Sequence, residues 1–141
     1  TVLLVLLWSI FVALAEETFF RGIILSLLKS KSLVLAIILS SFLFSLGHLA
    51  NLAGGADPIA TLGQVLFAFS FGLVAAIITL YTQSLLVPIL LHFAHNTIAT
   101  LTVTAGTSAD LILGCVQAVI LLIYAYYLWK KNNSLVQENT K

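Results

Sequence analysis

The sequence predicts an all-α, polytopic membrane helical bundle, and three observations support this fold class. Hydrophobic residues make up 61% of the 141 positions and charged residues only 8%, whereas a soluble domain has roughly 25% charged residues. The mean hydropathy is +1.15. The apolar residues also fall into runs of about 20, the number of helical residues that crosses a hydrocarbon core. Lipid is therefore the expected solvent for most of the chain.

Five apolar runs follow one another and predict five transmembrane helices within a membrane domain, residues 1–129. The first run ends at Lys29-Ser30-Lys31, and a polar loop, 51–61, follows the second. Pro88 lies in the first turn of the fourth run, where proline is tolerated. Residues 130–141 are expected to form a polar, frayed tail. The predicted spans are Val2–Leu28, Leu33–Ala50, Leu62–Tyr81, Leu85–Val103 and Asp110–Trp129.

The lysines predict the orientation of these spans. Lys29 and Lys31 follow the first span, and Lys130 and Lys131 follow the fifth. Four crossings separate the two groups, so both lie on one side of the bilayer. The excess of basic residues on cytoplasmic loops makes that side the cytoplasm. The sequence therefore predicts a multi-pass protein of the cell membrane with a cytoplasmic C-terminus.

Small residues recur every four positions in the third span, at Ala68, Gly72 and Ala76. Such a stripe allows two membrane helices to approach closely. We expect it to be a packing surface.

Composition also excludes several classes of function. A net charge of +1 does not indicate a nucleic-acid-binding surface. Cys115 is the only cysteine, so neither a disulfide framework nor a cysteine-based metal site is expected. We expect Cys115 to be inert and packed. The chain contains no methionine and opens directly in an apolar run, which favours a fragment of a longer membrane protein.

The first span contains three charged residues, Glu16, Glu17 and Arg21, in an otherwise apolar run. Ionisable groups at membrane depth are costly and usually functional. Glu17 and Arg21 are four residues apart with the acid first, the favourable order for an intrahelical ion pair. Glu16 lies about 140° around an α-helix from Arg21. We therefore predict that Glu17 is neutralised by Arg21 and that Glu16 remains free.

Two further spans carry polar residues that face inward in the predicted bundle. His48 lies near the end of the second span. His92 and Asn96 lie four residues apart on the fourth span, so both can face one cavity. His95 is three residues from His92, and its alignment stays open.

These groups are sufficient for hydrolysis by an activated water molecule. A carboxylate such as Glu16 can act as a general base, with His48 holding and polarising the water. His92 and Asn96 can donate hydrogen bonds to the oxyanion that forms at a carbonyl, and such a donor typically contributes about 2.7–4 kcal/mol. No serine has a nucleophile-elbow sequence, and Cys115 has no suitable polar neighbours. Serine and cysteine hydrolases are therefore disfavoured.

Two alternatives stay open at this point. Glu16, His48 and His92 supply two imidazoles and a carboxylate, which is a ligand set of catalytic zinc, although the spacing of the His-Glu-x-x-His zinc helix is absent. The same residues also suit a protein that is not an enzyme. A proton relay, a transport element or a peptide-binding pseudo-protease can contain intramembrane carboxylates and histidines.

The depths of these residues along their spans do not agree at first sight. At 1.5 Å per residue, Glu16 lies about 20 Å from Lys29, and His48 lies about 25 Å from Lys31. His92 lies only about 12 Å from the turn at Ser84. We therefore expect the polar groups to meet only if the helices are tilted or offset.

Three motifs in order resemble the CAAX protease and bacteriocin-processing family of intramembrane proteases (CPBP, or Abi), which includes the type II CAAX prenyl endopeptidases. The resemblance covers Ala15 to Thr97. The motifs are Glu-Glu-x-x-x-Arg at residues 16–21, Phe-x-x-x-His at residues 44–48 and His-x-x-x-Asn at residues 92–96.

The resemblance implies a fold of about eight spans, of which this chain holds the last five. It implies a catalytic Glu16, a water-positioning His48, and oxyanion contacts from His92 and Asn96. The family was long described as metalloproteases, but the resemblance favours a glutamate mechanism without metal. The implied partners are membrane lipid and a peptide or protein substrate that is prenylated, a bacteriocin precursor or membrane-associated. A bacterial membrane and a role in bacteriocin processing or self-immunity are also implied.

Overall fold

The computed structural model describes residues 2–102 and 107–139, with side chains described for 2–102 and 108–133. Every regular element in these ranges is a helix, which confirms the predicted all-α class. The helices are α1 (Val2–Leu28), α2 (Leu33–Gly47), α3 (Ala50–Ala53), α4 (Pro58–Thr82), α5 (Leu86–Leu101) and α6 (Thr107–Asn139).

Four helical segments are long and apolar enough to cross a membrane, which supports a multi-pass membrane protein. The fifth predicted span, α5, has 16 residues and is about 24 Å long. It is apolar but shorter than a hydrocarbon core about 30 Å thick. The predicted end of this span at Val103 lies outside the described residues. The four long segments are Val2–Leu28, Leu33–Ala53, Pro58–Thr82 and Ser108–Asn133.

The outer surface of the bundle is strongly apolar, as expected where lipid is the solvent. Trp8, Phe11 and Leu27 each expose about two thirds of their surface, and α6 exposes large apolar residues between Ile112 and Tyr127. Cys115 is half-buried and unpaired, so it is less packed than the sequence interpretation expected.

Two predicted boundaries are wrong because helix signals were overlooked. The loop predicted at 51–61 is interrupted by α3, and α4 begins at Pro58 rather than Leu62. The Asp57 carboxylate accepts hydrogen bonds from the backbone N–H groups of Ile59 and Ala60 at 2.8 and 2.9 Å. Proline suits the first helical position because it has no N–H to satisfy. Asp57-Pro58 therefore caps the start of α4.

The end of the last helix also differs from the prediction. The helix α6 begins at Thr107 and continues to Asn139, so most of the tail predicted to fray is helical. Lysine, glutamine and glutamate are good helix formers in water. The change in polarity after Trp129 therefore marks the end of the apolar surface and not the end of the helix.

The helix α4 lies at the centre of the bundle, packed against α2 on one side and α6 on the other, while α1 packs mainly against α5. The stripe of small residues on α4 is a packing surface, as predicted. Ala68 and Ala76 are buried. A Cβ atom on Gly72 would lie 2.8 Å from the Cβ atom of Ser41 on α2. A larger residue at position 72 would therefore push α2 and α4 apart.

A second close approach, between α4 and α6, was not predicted. A Cβ atom added to Gly114 would lie 2.6 Å from the carbonyl oxygen of Gly63. Because the obstacle is backbone rather than a flexible side chain, the helices must separate to admit any larger residue. Glycine at both positions therefore sets the distance between α4 and α6.

We predict that Gly114→Ala destabilises the protein by about 1–3 kcal/mol, the usual cost of overpacking. Gly47→Ala is the matched control, because a Cβ atom on Gly47 meets no atom within 4 Å. Thermal unfolding in detergent measures both effects. Equal melting temperatures for the two variants would contradict the proposed contact between Gly63 and Gly114.

Candidate active site

The glutamate pair of α1 lies directly before a change in the helix. Residues Thr18–Ile24 form a π-helical segment, whereas the sequence interpretation assumed a regular α-helix. At its end, the backbone N–H of Leu25 donates to the carbonyl oxygen of Phe20, five residues earlier. Such segments are rare and occur frequently at functional sites.

The predicted ion pair between Glu17 and Arg21 is present. Arg21 Nη1 donates to Glu17 Oε1 at 3.1 Å, and both side chains are completely buried. The guanidinium carbon of Arg21 also lies 4.3 Å from the ring centroid of Phe44 on α2, a cation–π distance. A buried charge needs such partners, because removing only one member of a buried pair is strongly destabilising.

Glu17 has a second partner, which the sequence interpretation missed. His92 Nδ1–H, on α5, donates to the same oxygen of Glu17 at 2.8 Å. Since a carboxylate oxygen only accepts, Nδ1 carries the proton, and in the neutral ring Nε2 carries the lone pair. His92 Nε2 lies 3.7 Å from Glu16 Oε2. The imidazole of His92 therefore stands between the two carboxylates of α1.

His48 is held in a similar manner by its own helix. Its Nδ1–H donates to the backbone carbonyl of Phe44 at 3.1 Å. Because a carbonyl oxygen can only accept, the proton is on Nδ1, and Nε2 of the neutral ring is left as an acceptor. His48 can thus accept a hydrogen bond from water with a fixed ring orientation.

Phe44 contacts the polar groups of three helices. The residue is buried, and its ring centroid lies 5.1 Å from the ring of His48 and 5.7 Å from the ring of His92, both edge-on. Together with the contact to Arg21, this explains the phenylalanine of the Phe-x-x-x-His motif. The ring of Phe44 packs against both histidine rings and thereby sets the spacing between them.

Two neighbouring cavities join the four residues that the sequence predicts to be catalytic. Glu16, His48 and Asn51 line the first, which has about 120 Å³ open to the centres of water molecules. His48 also lines the second, which is smaller, with about 30 Å³ open to them. A water molecule needs about 10–15 Å³ on this measure, so each cavity has room for water. The second cavity is also lined by His92, His95 and Asn96.

His48 lines both cavities. The different depths predicted for the polar residues along their spans therefore do not keep these residues apart. Glu16, His48 and His92 lie at different distances from their helix ends, yet all three line one or both of these adjacent cavities. Glu16 remains without an ion-pair partner among the lysines and arginines of the described side chains. Its Oε2 atom is buried and makes no hydrogen bond to a described residue.

The position of His95, left open by the sequence, is now defined. Its ring stacks on Phe67 of α4, with centroids 4.0 Å apart and planes 19° apart. His95 therefore packs on the wall of the second cavity.

Sequence reasoning also missed an amide pair at this site. Asn51 Nδ2 donates to Gln64 Oε1 at 2.8 Å; Asn51 lines the first cavity and Gln64 the second. The signal was available, since Gln64 interrupts the apolar run of the third span.

The zinc alternative is not favoured by the arrangement of the side chains. Within residues 2–102 and 108–133, no three His, Cys, Asp or Glu side chains are grouped as the ligands of one metal ion. Glu16, His48 and His92, the predicted ligand set, therefore do not fit a zinc site.

We predict that Glu17→Gln destabilises the protein by about 3–5 kcal/mol, because it leaves Arg21 buried without its counter-charge. Glu16→Gln is the matched control: it removes a neighbouring carboxylate that makes no ion pair with arginine, and little loss is expected. Thermal unfolding of both variants in detergent checks the prediction. A loss of stability in Glu16→Gln as large as that in Glu17→Gln would contradict it.

A family model for the type II CAAX prenyl endopeptidase Rce1-like proteins matches residues 1–98. The match covers α1 through most of α5 and includes all three motifs, while α6 lies outside it. Comparisons with curated proteins and with solved structures returned no match. The family model covers more than half of the chain and agrees with the predicted resemblance. The chain therefore belongs to the Rce1-like family of type II CAAX prenyl endopeptidases, a family of CAAX-type intramembrane endopeptidases.

Proposed function

We propose that the protein hydrolyses a peptide bond within the membrane by means of a water molecule that Glu16 activates. One observation carries the proposal: His48 lines a cavity with Glu16 and, next to it, a cavity with His92 and Asn96. A base, a water-binding imidazole and two polar groups for an oxyanion thus line two neighbouring cavities that share His48. Membership of the Rce1-like family supports this assignment.

Glu16 and His48 divide the two hydrogens of the water between them. The unpaired Oε2 atom of Glu16 accepts one hydrogen. The lone pair of His48 Nε2 accepts the other, because Nδ1–H is engaged with Phe44. The water oxygen is then left with a lone pair directed at the substrate carbonyl. General base catalysis of this kind contributes roughly 10²–10⁴-fold to the rate.

Cleavage of the peptide bond requires no reagent other than the water molecule and the Glu16 carboxylate. The water oxygen bonds to the carbonyl carbon while its proton passes to Glu16, and the carbonyl oxygen becomes an oxyanion. When the tetrahedral intermediate collapses, the C–N bond breaks and the proton on Glu16 passes to the leaving nitrogen. Asn96 donates to the oxyanion through its amide N–H.

His92 donates to the oxyanion through Nε2 only when its ring is protonated. The Glu17 carboxylate accepts from Nδ1–H and fixes the orientation of the His92 ring. Glu17 is in this account a positioning residue for His92, in addition to its role as the partner of Arg21.

We propose a membrane-associated peptide or protein as the substrate, either prenylated, a bacteriocin precursor or otherwise anchored in the bilayer. The position of the site among apolar helices supports this class. Membrane lipid is the only other partner proposed, and no nucleic acid is expected. A multi-pass location in the cell membrane with the C-terminus in the cytoplasm, and a role in bacteriocin processing or self-immunity, belong to the same proposal.

A non-enzymatic proton relay is the second candidate function. The observation that favours it is the order of groups from Glu17 through His92 to Glu16, with separations of 2.8 and 3.7 Å. A carboxylate on each side of an imidazole can pass a proton along this line. A transport element or a peptide-binding pseudo-protease would use the same groups, and neither would cleave a peptide.

Cleavage by the full-length protein in liposomes tests the proposed function. The substrates are a farnesylated peptide ending in a CAAX sequence, a bacteriocin-type precursor and a membrane-anchored peptide, with products identified by mass spectrometry. We expect Glu16→Gln and His48→Ala to lower kcat/KM at least 100-fold and Asn96→Ala to lower kcat by about 10²–10³-fold. We expect a chelator to leave the wild-type rate unchanged.

Glu138→Gln is the matched control, because it makes the same chemical change outside the span Ser108–Asn133. Its rate should equal that of the wild type. Full activity in Glu16→Gln or His48→Ala would refute the mechanism. Proton movement without cleavage of any substrate would favour the relay.

A further inference from the structure

A polar cavity lies where α1 ends, and the mechanism above does not use it. Its walls come from the second half of α1, the end of α4 and the turn that leads into α5. The side chains that matter here are those of Arg21, Ser26 and Lys29 on α1. We call it the basic cavity. It has about 140 Å³ open to the centres of water molecules, and one water molecule needs only about 10–15 Å³ on this measure.

The charges around the basic cavity are all positive. Its lining residues, which all lie in the described ranges, include Arg21 and Lys29 but no aspartate or glutamate. The side chain of Lys29 makes no ion pair with a described residue. Leu85, which also lines the cavity, immediately precedes the first residue of α5, and the N-terminus of a helix carries a partial positive charge. The basic cavity is therefore suited to an anion.

Arg21 has a hydrogen-bonding edge that no described residue occupies. Its Nη1 atom donates to Glu17, while Nε and Nη2 are buried and make no hydrogen bond to a described residue. A guanidinium group presents its N–H donors as a rigid fork, which binds two oxygens of a carboxylate or phosphate side by side. A buried charged donor without a hydrogen bond is costly. One oxyanion would satisfy Nε and Nη2 together.

The depth of the basic cavity indicates which oxyanion it binds. Lys29 directly follows the apolar span Val2–Leu28, so the cavity lies where α1 leaves the hydrocarbon core and the layer of lipid head groups begins. Basic pockets between membrane helices bind lipid head groups. The carboxylate of a peptide substrate is less well supported, because the basic cavity shares no lining residue with either cavity of the candidate active site.

We propose that the basic cavity binds a phosphate group. Nε and Nη2 of Arg21 donate to two of its oxygens, Lys29 supplies the second positive charge, and the hydroxyl of Ser26 donates to a third oxygen. The phosphate belongs either to a membrane lipid or to a small phosphate ester, and the experiments below distinguish the two. The inference does not depend on the proposed peptidase function. Since Arg21 also bonds to Glu17, the bound phosphate and Glu17 hold the guanidinium from two sides.

Two matched pairs of variants test the site. Lys29→Gln removes a cation from the lining, and Lys31→Gln makes the same change outside it. Ser26→Asp places a negative charge in the lining, and Ser30→Asp makes the same change outside it. All four positions are exposed, so each variant is expected to fold, and thermal unfolding in detergent checks this.

Native mass spectrometry of the full-length protein in detergent measures binding. The probes are phosphatidic acid, diacylglycerol as the same lipid without phosphate, and glycerol 3-phosphate as the small ester. We expect phosphatidic acid to bind and diacylglycerol not to compete with it. Lys29→Gln should raise the Kd about 5-fold, the usual effect of one basic residue near an anionic surface, and Ser26→Asp should raise it at least 10-fold.

The two control variants separate a defined site from general attraction. Lys31→Gln and Ser30→Asp should change the Kd less than Lys29→Gln and Ser26→Asp do. Equal effects within each pair would show only diffuse attraction between the lysines and an anionic lipid, and would overturn the inference. Displacement of phosphatidic acid by a peptide with a free C-terminal carboxylate, but not by its amide, would assign the cavity to the substrate and would also overturn it.

Solid-state NMR gives a second readout, one that a merely structural arginine would not affect. Arg21 is the only arginine of the 141 residues, so nitrogen-15 labelling of arginine reports this side chain alone. In vesicles that contain phosphatidic acid, we expect phosphorus-31 to dephase the Nε and Nη2 signals. This dephasing should be lost in Ser26→Asp and kept in Ser30→Asp.

The source of the phosphorus identifies the ligand. Dephasing by phosphatidic acid assigns the site to a lipid head group. Dephasing only by glycerol 3-phosphate, added in a detergent that contains no phosphorus, assigns it to a small phosphate ester. Either result supports the phosphate site, whereas the absence of dephasing by both probes would overturn it.

Discussion

The buried carboxylate of Glu17 is the group on which the polar interior of this bundle depends. One of its oxygens accepts from Arg21 on its own helix and from His92 on α5, so a single negative charge balances one cation and orients one imidazole. Without it, Arg21 would be a completely buried charge, which an apolar helical bundle does not tolerate. The interaction also joins α1 to α5, and through the contact of Arg21 with Phe44 it extends to α2.

The geometry of the candidate site follows from this arrangement. Because Glu17 occupies Nδ1 of His92, the other nitrogen faces Glu16. Phe44 keeps the rings of His48 and His92 apart, and its carbonyl fixes the proton of His48 on Nδ1. Glu16 is left as the carboxylate without an arginine partner, beside a cavity large enough for water. In the proposed mechanism the two adjacent glutamates have different tasks: Glu17 positions His92, and Glu16 activates the water.

The sequence predicted what is local and missed what depends on contacts between helices. The pair of Glu17 with Arg21 follows from a spacing of four residues, and the fold class follows from composition. The bond between Glu17 and His92 spans 75 positions, and no periodicity indicates which histidine a buried carboxylate meets. The approach of Gly63 to Gly114 and the stack of Phe67 on His95 are also contacts between helices, so the sequence did not predict them. The π-helical segment had no local signal. The start of α4 did have one, in Asp57-Pro58, and was overlooked.

Nitrogen-15 NMR of histidine-labelled protein in liposomes tests the hydrogen bond from His92 to Glu17, since it reports which ring nitrogen of His92 carries the proton. Substitution of each histidine by glutamine in turn assigns the signals. The account predicts that Nδ1 of His92 is protonated and strongly hydrogen-bonded in the wild type, and that this signal changes in Glu17→Ala but not in Glu138→Gln. A wild-type His92 that carries its proton on Nε2 alone, with a spectrum unaffected by Glu17→Ala, would contradict the account.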